Sequence, residues 1–272
     1  MGGSDSQLQT AAVPTALGRV PDEVCLLVAS APEAGAAVPG SNWNVAEVAA
    51  HLAAGTEAYV RYATGGSEPF VDVSDIAGGS LTRTNAARLQ AEPDRDLASL
   101  ADRLRAASSA LLRASGQRRH DDVVMWNGVP LALGDMLGIG LGEYLLHGRD
   151  IATALSLPWT IRPDDARLVL ASALPLLPLL VDPVTTAGVH ARYDLKIRGG
   201  VRVLLVVDDG ELTVVDDDVR PVDCHVSADP VALLLTSYGR RSQWGAICTG
   251  KLFAWGRKPW LGPRLVRYLV TP

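Results

Sequence analysis

The hydrophobic pattern of the chain changes near Pro158, and this change limits how the chain can fold. Before that residue, apolar side chains recur every three or four residues in long runs, which predicts amphipathic helices. Beyond it, short apolar runs end at glycine turns, which predicts strands. Helices followed by strands indicate separate domains or an α+β protein. We therefore predict two domains, over residues 1–158 and 159–272.

The first domain carries four long helical patterns. They begin after Pro21, at Asn44, after Pro93 and near Leu131, and a further helical stretch precedes Pro93. Asn44 is a predicted N-cap, because Glu47 follows it at the spacing of a capping box. Four long helices connected by polar loops indicate a four-helix bundle.

Two polar segments of the first domain are predicted loops. Residues 66–80 contain GGSEP and AGGS, and residues 116–130 contain the sequence Trp126-Asn127-Gly128. Glycine, proline and asparagine favour turns over helices. Trp126 looks exposed in its loop and could cover a ligand, so we predict it as a cofactor-binding residue.

The second domain has the pattern of an α+β fold. We predict a helix over residues 163–180, followed by strands in DLKIRG, VRVLLVVDDG and ELTVVDD that are joined by glycine-containing hairpin turns. A short helix over residues 229–238, a strand in KLFAWG and a closing helix in PWLGPRLVRYLV complete the domain.

Composition excludes some classes of function. Hydrophobic residues make up 48% and the net charge is −5, which is ordinary for a globular protein and unlike the basic face of a nucleic-acid binder. The apolar run over residues 168–181 is too short to span a bilayer, and no signal peptide is visible. We expect a cytoplasmic protein with no membrane or nucleic-acid partner. Its cysteines lack disulfide or zinc-module spacing and are predicted to be small buried residues: Cys25, Cys224 and Cys248.

Three metal-ligating side chains fall on two of the predicted helices. Glu143 and His147 are four residues apart, about one helical turn, so both project from one face. His51 lies inside the helix that begins at Asn44. One carboxylate and two imidazoles suit zinc, or another borderline divalent metal, and leave a coordination position open. Without a metal, the same side chains would be hydrogen-bonded polar groups in an apolar core.

Further residues are predicted around this site. Asp150 stands three residues after His147, where it could hydrogen-bond a ligand imidazole or pair with a neighbouring arginine. Arg240 and Arg257 could bind the carboxylates of a cofactor or substrate, because a guanidinium matches that geometry. The alternative for both arginines is an exposed surface position.

Two segments carry a resemblance to a known family. They are residues 43–52, WNVAEVAAHL, and residues 143–152, EYLLHGRDIA. Both resemble the mycothiol-dependent maleylpyruvate isomerase family, which belongs to the DinB-like metal-binding helix bundles of actinobacteria. The later runs ADPV, GKL and GR resemble the small α+β domain, related to sterol carrier proteins, that follows the bundle in these proteins.

The resemblance implies a fold and a chemistry. It implies a DinB-like four-helix bundle followed by a sterol-carrier-like α+β domain, with zinc bound by His51, Glu143 and His147. It further implies that zinc holds mycothiol as a thiolate, which isomerises a small electrophile or is transferred to it. The family isomerase uses an arginine of its second domain, and Arg240 and Arg257 are our candidates for that catalytic role.

A second class of function stays open. In it, the chain is a non-catalytic carrier of an apolar small molecule, and the metal is structural or absent. The apolar run over residues 168–181 and the sterol-carrier resemblance favour the carrier. The three ligands favour the enzyme, because a structural zinc normally takes a fourth protein ligand. The expected partners of the enzyme are a small electrophile and a thiol, and the oligomeric state is left undecided.

Overall fold

The computed structural model describes residues 12–73, 76, 79–215 and 220–270. They divide into two compact units, and the main boundary between the units lies between Ile161 and Arg162. The first unit is mainly helical and the second is built on a five-stranded sheet with helices. The predicted order of fold classes along the chain is therefore confirmed. Among the described residues, no helix is long and apolar enough to cross a membrane.

Four helices of the first unit form a bundle. The helices of this unit are α1 (Val20–Ala29), α2 (Val45–Ala63), α3 (Ser80–Ala91), α4 (Leu97–Ser115) and α5 (Leu133–Ala154). Helices α1, α4, α2 and α5 contact each other in a closed ring, as predicted for a four-helix bundle. Helix α3 lies outside this ring against α2, and only Ser80 and Leu89 of its residues are buried.

The start of α2 is fixed by the predicted capping box. The Asn44 side chain accepts a hydrogen bond from the Glu47 backbone N–H at 3.0 Å, and the Glu47 carboxylate accepts one from the Asn44 N–H at 2.9 Å. Such a cap stabilises a helix by about 1 kcal/mol. Because the cap fixes where α2 begins, it also fixes the face on which His51 projects.

Residues 116–130 are not the loop that the sequence predicted. Strands β1 (Val123–Trp126) and β2 (Val129–Ala132) form an antiparallel hairpin. Asn127 and Gly128 make its turn, with φ angles of 49° and 82°. Positive φ at both positions defines a turn that favours Asn-Gly. The strands are only four residues long, too short for their alternation to stand out from the turn formers around them.

The Asn127 side chain ties this hairpin to the bundle. Its Oδ1 accepts hydrogen bonds from the Tyr62 hydroxyl at 2.7 Å and from the backbone N–H groups of Phe70 and Val71 at 2.9 and 3.1 Å. Buried polar atoms are stable only when they are paired in this way. The turn is therefore a buried anchor that holds Phe70 beside α2.

The second unit is a mixed sheet with helices. Its strands follow the order β5-β4-β3-β6-β7, where β3 and β6 are parallel and the other pairs are antiparallel. The strands are β3 (His190–Ile197), β4 (Arg202–Asp208), β5 (Glu211–Val215), β6 (Cys224–Ala228) and β7 (Leu252–Trp255). The helices are α6 (Pro163–Ser172), α7 (Leu177–Leu180), α8 (Pro183–Thr186), α9 (Pro230–Ser237), α10 (Gln243–Cys248) and α11 (Gly262–Leu265).

Three details of the second unit differ from the sequence prediction. The helix predicted over residues 163–180 is broken, because α6 ends at Ser172 and a 3₁₀ turn (Leu174–Leu176) follows around a proline that has no backbone N–H. The closing helix is likewise divided into short turns over residues 259–268. Strand β6 and helix α10 were not predicted from the sequence.

Candidate metal centre

Three side chains of the first unit converge at one point. Glu143 Oε2 lies 3.6 Å from His51 Nε2 and 3.4 Å from His147 Nε2. Helix α2 supplies His51, and α5 supplies the other two. The metal-ligating atoms all lie within 4.8 Å of one another, and no fourth such residue joins the group among the described residues.

These separations suit a zinc ion. Bonds of about 2.0–2.1 Å in a tetrahedral arrangement separate neighbouring ligand atoms by roughly 3.4 Å. The two distances from Glu143 match that value. Two imidazoles and one carboxylate are also the donors of an open, three-ligand zinc site. The residues present therefore fit the metal that the sequence predicted.

A buried hydrogen bond sets the register of the two helices beside this site. The Tyr144 hydroxyl lies 2.7 Å from the Thr56 hydroxyl, and Thr56 donates to the Leu52 carbonyl, also at 2.7 Å. Tyr144 directly follows Glu143 in α5, and Leu52 directly follows His51 in α2. The bond therefore links the helices next to the ligands and fixes the distance between them.

The electrostatics of the metal-free site favour a cation at its centre. Burial raises the pKa of the Glu143 carboxyl, but the two imidazoles outweigh it and hold that pKa well below its usual range. Burial is the main cause of the lowered pKa of His51. Burial also opposes charge on His147, yet Asp150 and Glu143 raise the pKa of that imidazole to about 9. A proton thus lies where a metal cation would otherwise bind.

The three ligands are unequally shielded. The side chains of His51 and His147 are 11% and 13% exposed, whereas that of Glu143 is 35% exposed. A small molecule can therefore approach the ligand set at the carboxylate. Ligand sites usually combine such an open side with a wall of apolar and aromatic groups.

An aromatic wall covers the imidazoles, and the sequence analysis missed it. The Trp43 ring centroid lies 5.0 Å from that of His51 and 6.3 Å from that of His147. Phe70 lies 6.3 Å from His51, and the Arg88 guanidinium lies 4.4 Å above the Phe70 ring. Trp43 belongs to the same sequence motif as His51, and this proximity in sequence could have indicated that its ring lies beside the imidazole. Phe70 belongs to a predicted loop, where no periodicity could place it.

Asp150 lies beside the third ligand. Its Oδ2 is 3.3 Å from His147 Nδ1, and the residue is 9% exposed. Nδ1 makes no hydrogen bond of good geometry, so the contact is electrostatic. A carboxylate in this position orients the imidazole and increases its basicity as a ligand.

The other predicted site residues lie elsewhere. Trp126 ends β1 and is half-buried, and its indole Nε1 has no hydrogen-bond partner within the part of the chain that is described. Arg240 follows α9 and donates to the Tyr238 carbonyl at 2.9 Å. Arg257 is exposed after β7. Both arginines belong to the second unit, so their roles toward the metal stay predictions.

The cysteines differ from one another in burial. Cys25 and Cys224 are buried, as predicted, but the prediction is wrong for Cys248, which is exposed. Burial raises the pKa of the Cys25 thiol to about 11, so this thiol stays protonated at neutral pH. The pKa of Cys224 is also raised by burial. Neither buried cysteine is therefore suited to act as a nucleophile.

The fold and the ligand set define a class of protein, namely a helix bundle in which two histidines and a glutamate could hold a metal, followed by an α+β unit. Residues 21–152 match the model of the mycothiol maleylpyruvate isomerase N-terminal domain. Over these residues the match confirms the resemblance found in the sequence.

Two solved structures are similar over most of the chain. They are crystal structures of the mycothiol-dependent maleylpyruvate isomerase and of an alanine mutant of it, with TM-scores of 0.52 and 0.55. The identities are 13% and 12%, and each match covers 89% of this chain and 91% of the other. At such identity the likeness shows the fold alone. No curated protein matches the chain significantly.

Proposed function

We propose that the protein is a zinc-dependent enzyme that uses the thiol of mycothiol as a nucleophile toward a small electrophile. The reaction is either an isomerisation or a transfer of the sulfur to the electrophile. The observation that carries the proposal is the convergence of His51, Glu143 and His147 at distances that suit zinc, with no fourth ligand among the described residues.

The chain's own residues have distinct tasks in this proposal. His51, Glu143 and His147 bind the metal, which supplies the charge that keeps a coordinated thiol deprotonated at neutral pH. Asp150 orients His147. Trp43 shields the imidazoles from water, which strengthens electrostatic interactions in the site.

The remaining predicted residues complete the proposal. Arg240 and Arg257 are candidates for binding a carboxylate of the electrophile through a guanidinium. Trp126 is a candidate for contact with the thiol cosubstrate, because its buried indole N–H has no acceptor within the described part of the chain. Cys25 is the cysteine of the first unit, and its buried thiol is held protonated, so we assign the nucleophile to an external thiol.

The carrier alternative has less support. The apolar run that favoured it contributes Leu170, Leu174 and Leu177, which pack against the buried core of the sheet. The packing of this run within its own unit accounts for its apolar character without a ligand.

Metal analysis and a thiol panel test the proposal. Protein purified without a histidine tag is expected to hold about one zinc ion per chain, and Glu143→Gln is expected to lose it. Electrophiles are then assayed with mycothiol, with glutathione and without thiol, and only mycothiol should support rapid turnover. Equal rates in all three would exclude the thiol and favour metal-activated water. Absence of bound metal would defeat the whole proposal.

A further inference from the structure

A groove in the first unit opens beside the indole that covers the metal ligands. Its volume is about 460 Å³, within the range of pockets that hold small molecules. Trp43 and Glu47, at the start of α2, form one side of the groove. Helix α3 and the segment after it form the other side, with Ala86, Gln90, Glu92 and Arg95 among the lining residues.

Trp43 belongs to both the groove and the metal site. Its indole lies 5.0 Å from the His51 ring and also lines the groove. A molecule in the groove therefore lies next to the ligand set, with one tryptophan between its body and the imidazoles. Such a molecule could place a reactive group at the metal while its remaining atoms occupy the groove.

The charged groups of the groove favour a ligand that donates hydrogen bonds. Glu47 and Glu92 bring carboxylates to the lining. Glu47 Oε2 accepts a hydrogen bond from the Asn44 N–H, and Glu92 Oε2 pairs with the Arg103 guanidinium at 3.0 Å. Each carboxylate has further lone pairs that can accept hydrogen bonds. The Arg95 guanidinium donates to the backbone carbonyls of Leu89, Glu92 and Asp94, so its N–H groups are engaged by the protein itself. Carboxylates accept hydrogen bonds from hydroxyl groups.

The indole of Trp43 adds a second preference for the kind of ligand that the groove can bind. The face of an aromatic ring carries partial negative charge and attracts the polarised C–H groups of a flat, saturated ring. Carboxylates beside a partly exposed indole therefore suit a sugar or a cyclic polyol, which offers hydroxyl donors at its rim and C–H groups on its face.

We propose that this groove binds the polyhydroxylated rings of the thiol cosubstrate, stacked against Trp43, while the sulfur reaches the metal ligands. This inference rests on the proposed function and deepens it, because it names the part of the chain that selects the thiol. Mycothiol carries its cysteine on an amino sugar linked to inositol, whereas glutathione is a peptide with two carboxylates. Glu47 and Glu92 can accept hydrogen bonds from the hydroxyl groups of the first molecule, whereas the carboxylates of the second bring only further acceptors.

Two neighbouring alanines of α3 provide a matched test. Ala86 lines the groove, whereas Ala87 is also exposed but is not part of the lining. Ala86→Trp fills the groove, and Ala87→Trp adds the same side chain to another face of the same helix. Circular dichroism and zinc content should be unchanged in both variants. Gln90→Trp fills the groove from the next turn and replaces Ala86→Trp if that variant does not fold.

The binding experiment uses a probe without sulfur. Calorimetry measures binding of the glucosamine–inositol disaccharide to the metal-free protein, so neither zinc nor turnover is involved. The wild type and Ala87→Trp should bind it equally, and Ala86→Trp should bind it at least about tenfold more weakly. Equal binding by both variants, or no binding by the wild type, would overturn the inference. Binding of the disaccharide without thiol-dependent turnover would instead contradict the proposed reaction and still support the groove as a binding site.

A kinetic experiment compares mycothiol with N-acetylcysteine, which has the same thiol but no sugar. Ala86→Trp should raise the KM for mycothiol about tenfold and leave the kinetics with N-acetylcysteine unchanged, because the groove contacts only the sugar part. A variant that slows both thiols equally would show a general disturbance of the site and would contradict the assigned role of the groove.

Discussion

Asp150 Oδ2 lies 3.3 Å from His147 Nδ1, while the Nε2 of the same imidazole faces Glu143 at 3.4 Å. The imidazole is therefore held between two carboxylates, and all three residues belong to α5. Because a single helix carries them, their relative positions follow from helical geometry and not from a loop. This arrangement leads to the first prediction.

Asp150→Asn should weaken zinc binding by roughly 10–100-fold without unfolding the bundle. The amide keeps the shape of the side chain but loses the negative charge that makes the imidazole a stronger ligand. Titration with a competing chelator measures the affinity, and circular dichroism checks the helices.

Asp135→Asn is the matched control for this prediction. Asp135 lies in the first turn of α5, about two turns before Glu143, so the same substitution there should leave the affinity for zinc unchanged. If both variants bind zinc as tightly as the wild type, Asp150 does not orient the ligand.

His147→Ala should remove bound metal and keep the fold. The bundle has an extensive buried core, which includes Leu137, Leu141 and Leu145 on α5, so the metal is not needed to hold the helices together. Elemental analysis should find almost no zinc, and the helical signal should match that of the wild type. Loss of the helical signal together with the zinc would indicate a structural metal instead.

The bundle could be predicted because its signals are local. The capping box at Asn44 and the four-residue spacing of Glu143 and His147 depend only on helical geometry, and both are present in the structure. The arrival of His51 from another helix at the same point was a hypothesis from residue types, and the family resemblance supported it, since spacing alone does not say which helices meet.

The rest of the site depends on contacts between residues far apart in sequence. Phe70 reaches His51 because Asn127, 57 residues away, accepts its backbone hydrogen bond. No sequence pattern in either segment indicates this hydrogen bond. The hairpin that carries Asn127 was predicted as a loop, because turn formers stand out more clearly than strands of four residues.

Gly148→Ala should destabilise the first unit by about 1–3 kcal/mol through overpacking. A Cβ at this position would lie 2.4 Å from Cζ2 of Trp159, whose indole N–H donates to the Leu145 carbonyl at 3.1 Å. The ring cannot move without breaking that bond. Denaturant unfolding measures the loss. Gly245→Ala is the control, because no atom lies within 4 Å of the added methyl group, and it should be neutral or slightly stabilising.

Asp135→Asn should stabilise the metal-free protein above pH 7 and leave its stability unchanged near pH 4. Burial raises the pKa of the Asp135 carboxyl to about 6, whereas the unfolded chain ionises near pH 3.9. Between these values the folded state binds more protons than the unfolded state, so the stability of the wild type falls as pH rises. Asparagine does not ionise, so the stability of the variant does not fall for this reason as pH rises.

Thermal unfolding with a chelator, from pH 4 to pH 8, tests this prediction. The Tm of the variant should exceed that of the wild type by about 2–4 °C above pH 7, and the difference should disappear at the acidic end. Titration of Glu143 and His147 affects both proteins alike and therefore cancels in the comparison. A difference that does not change with pH would show that the substitution acts through packing or the helix terminus, and not through the ionisation of a buried carboxyl group.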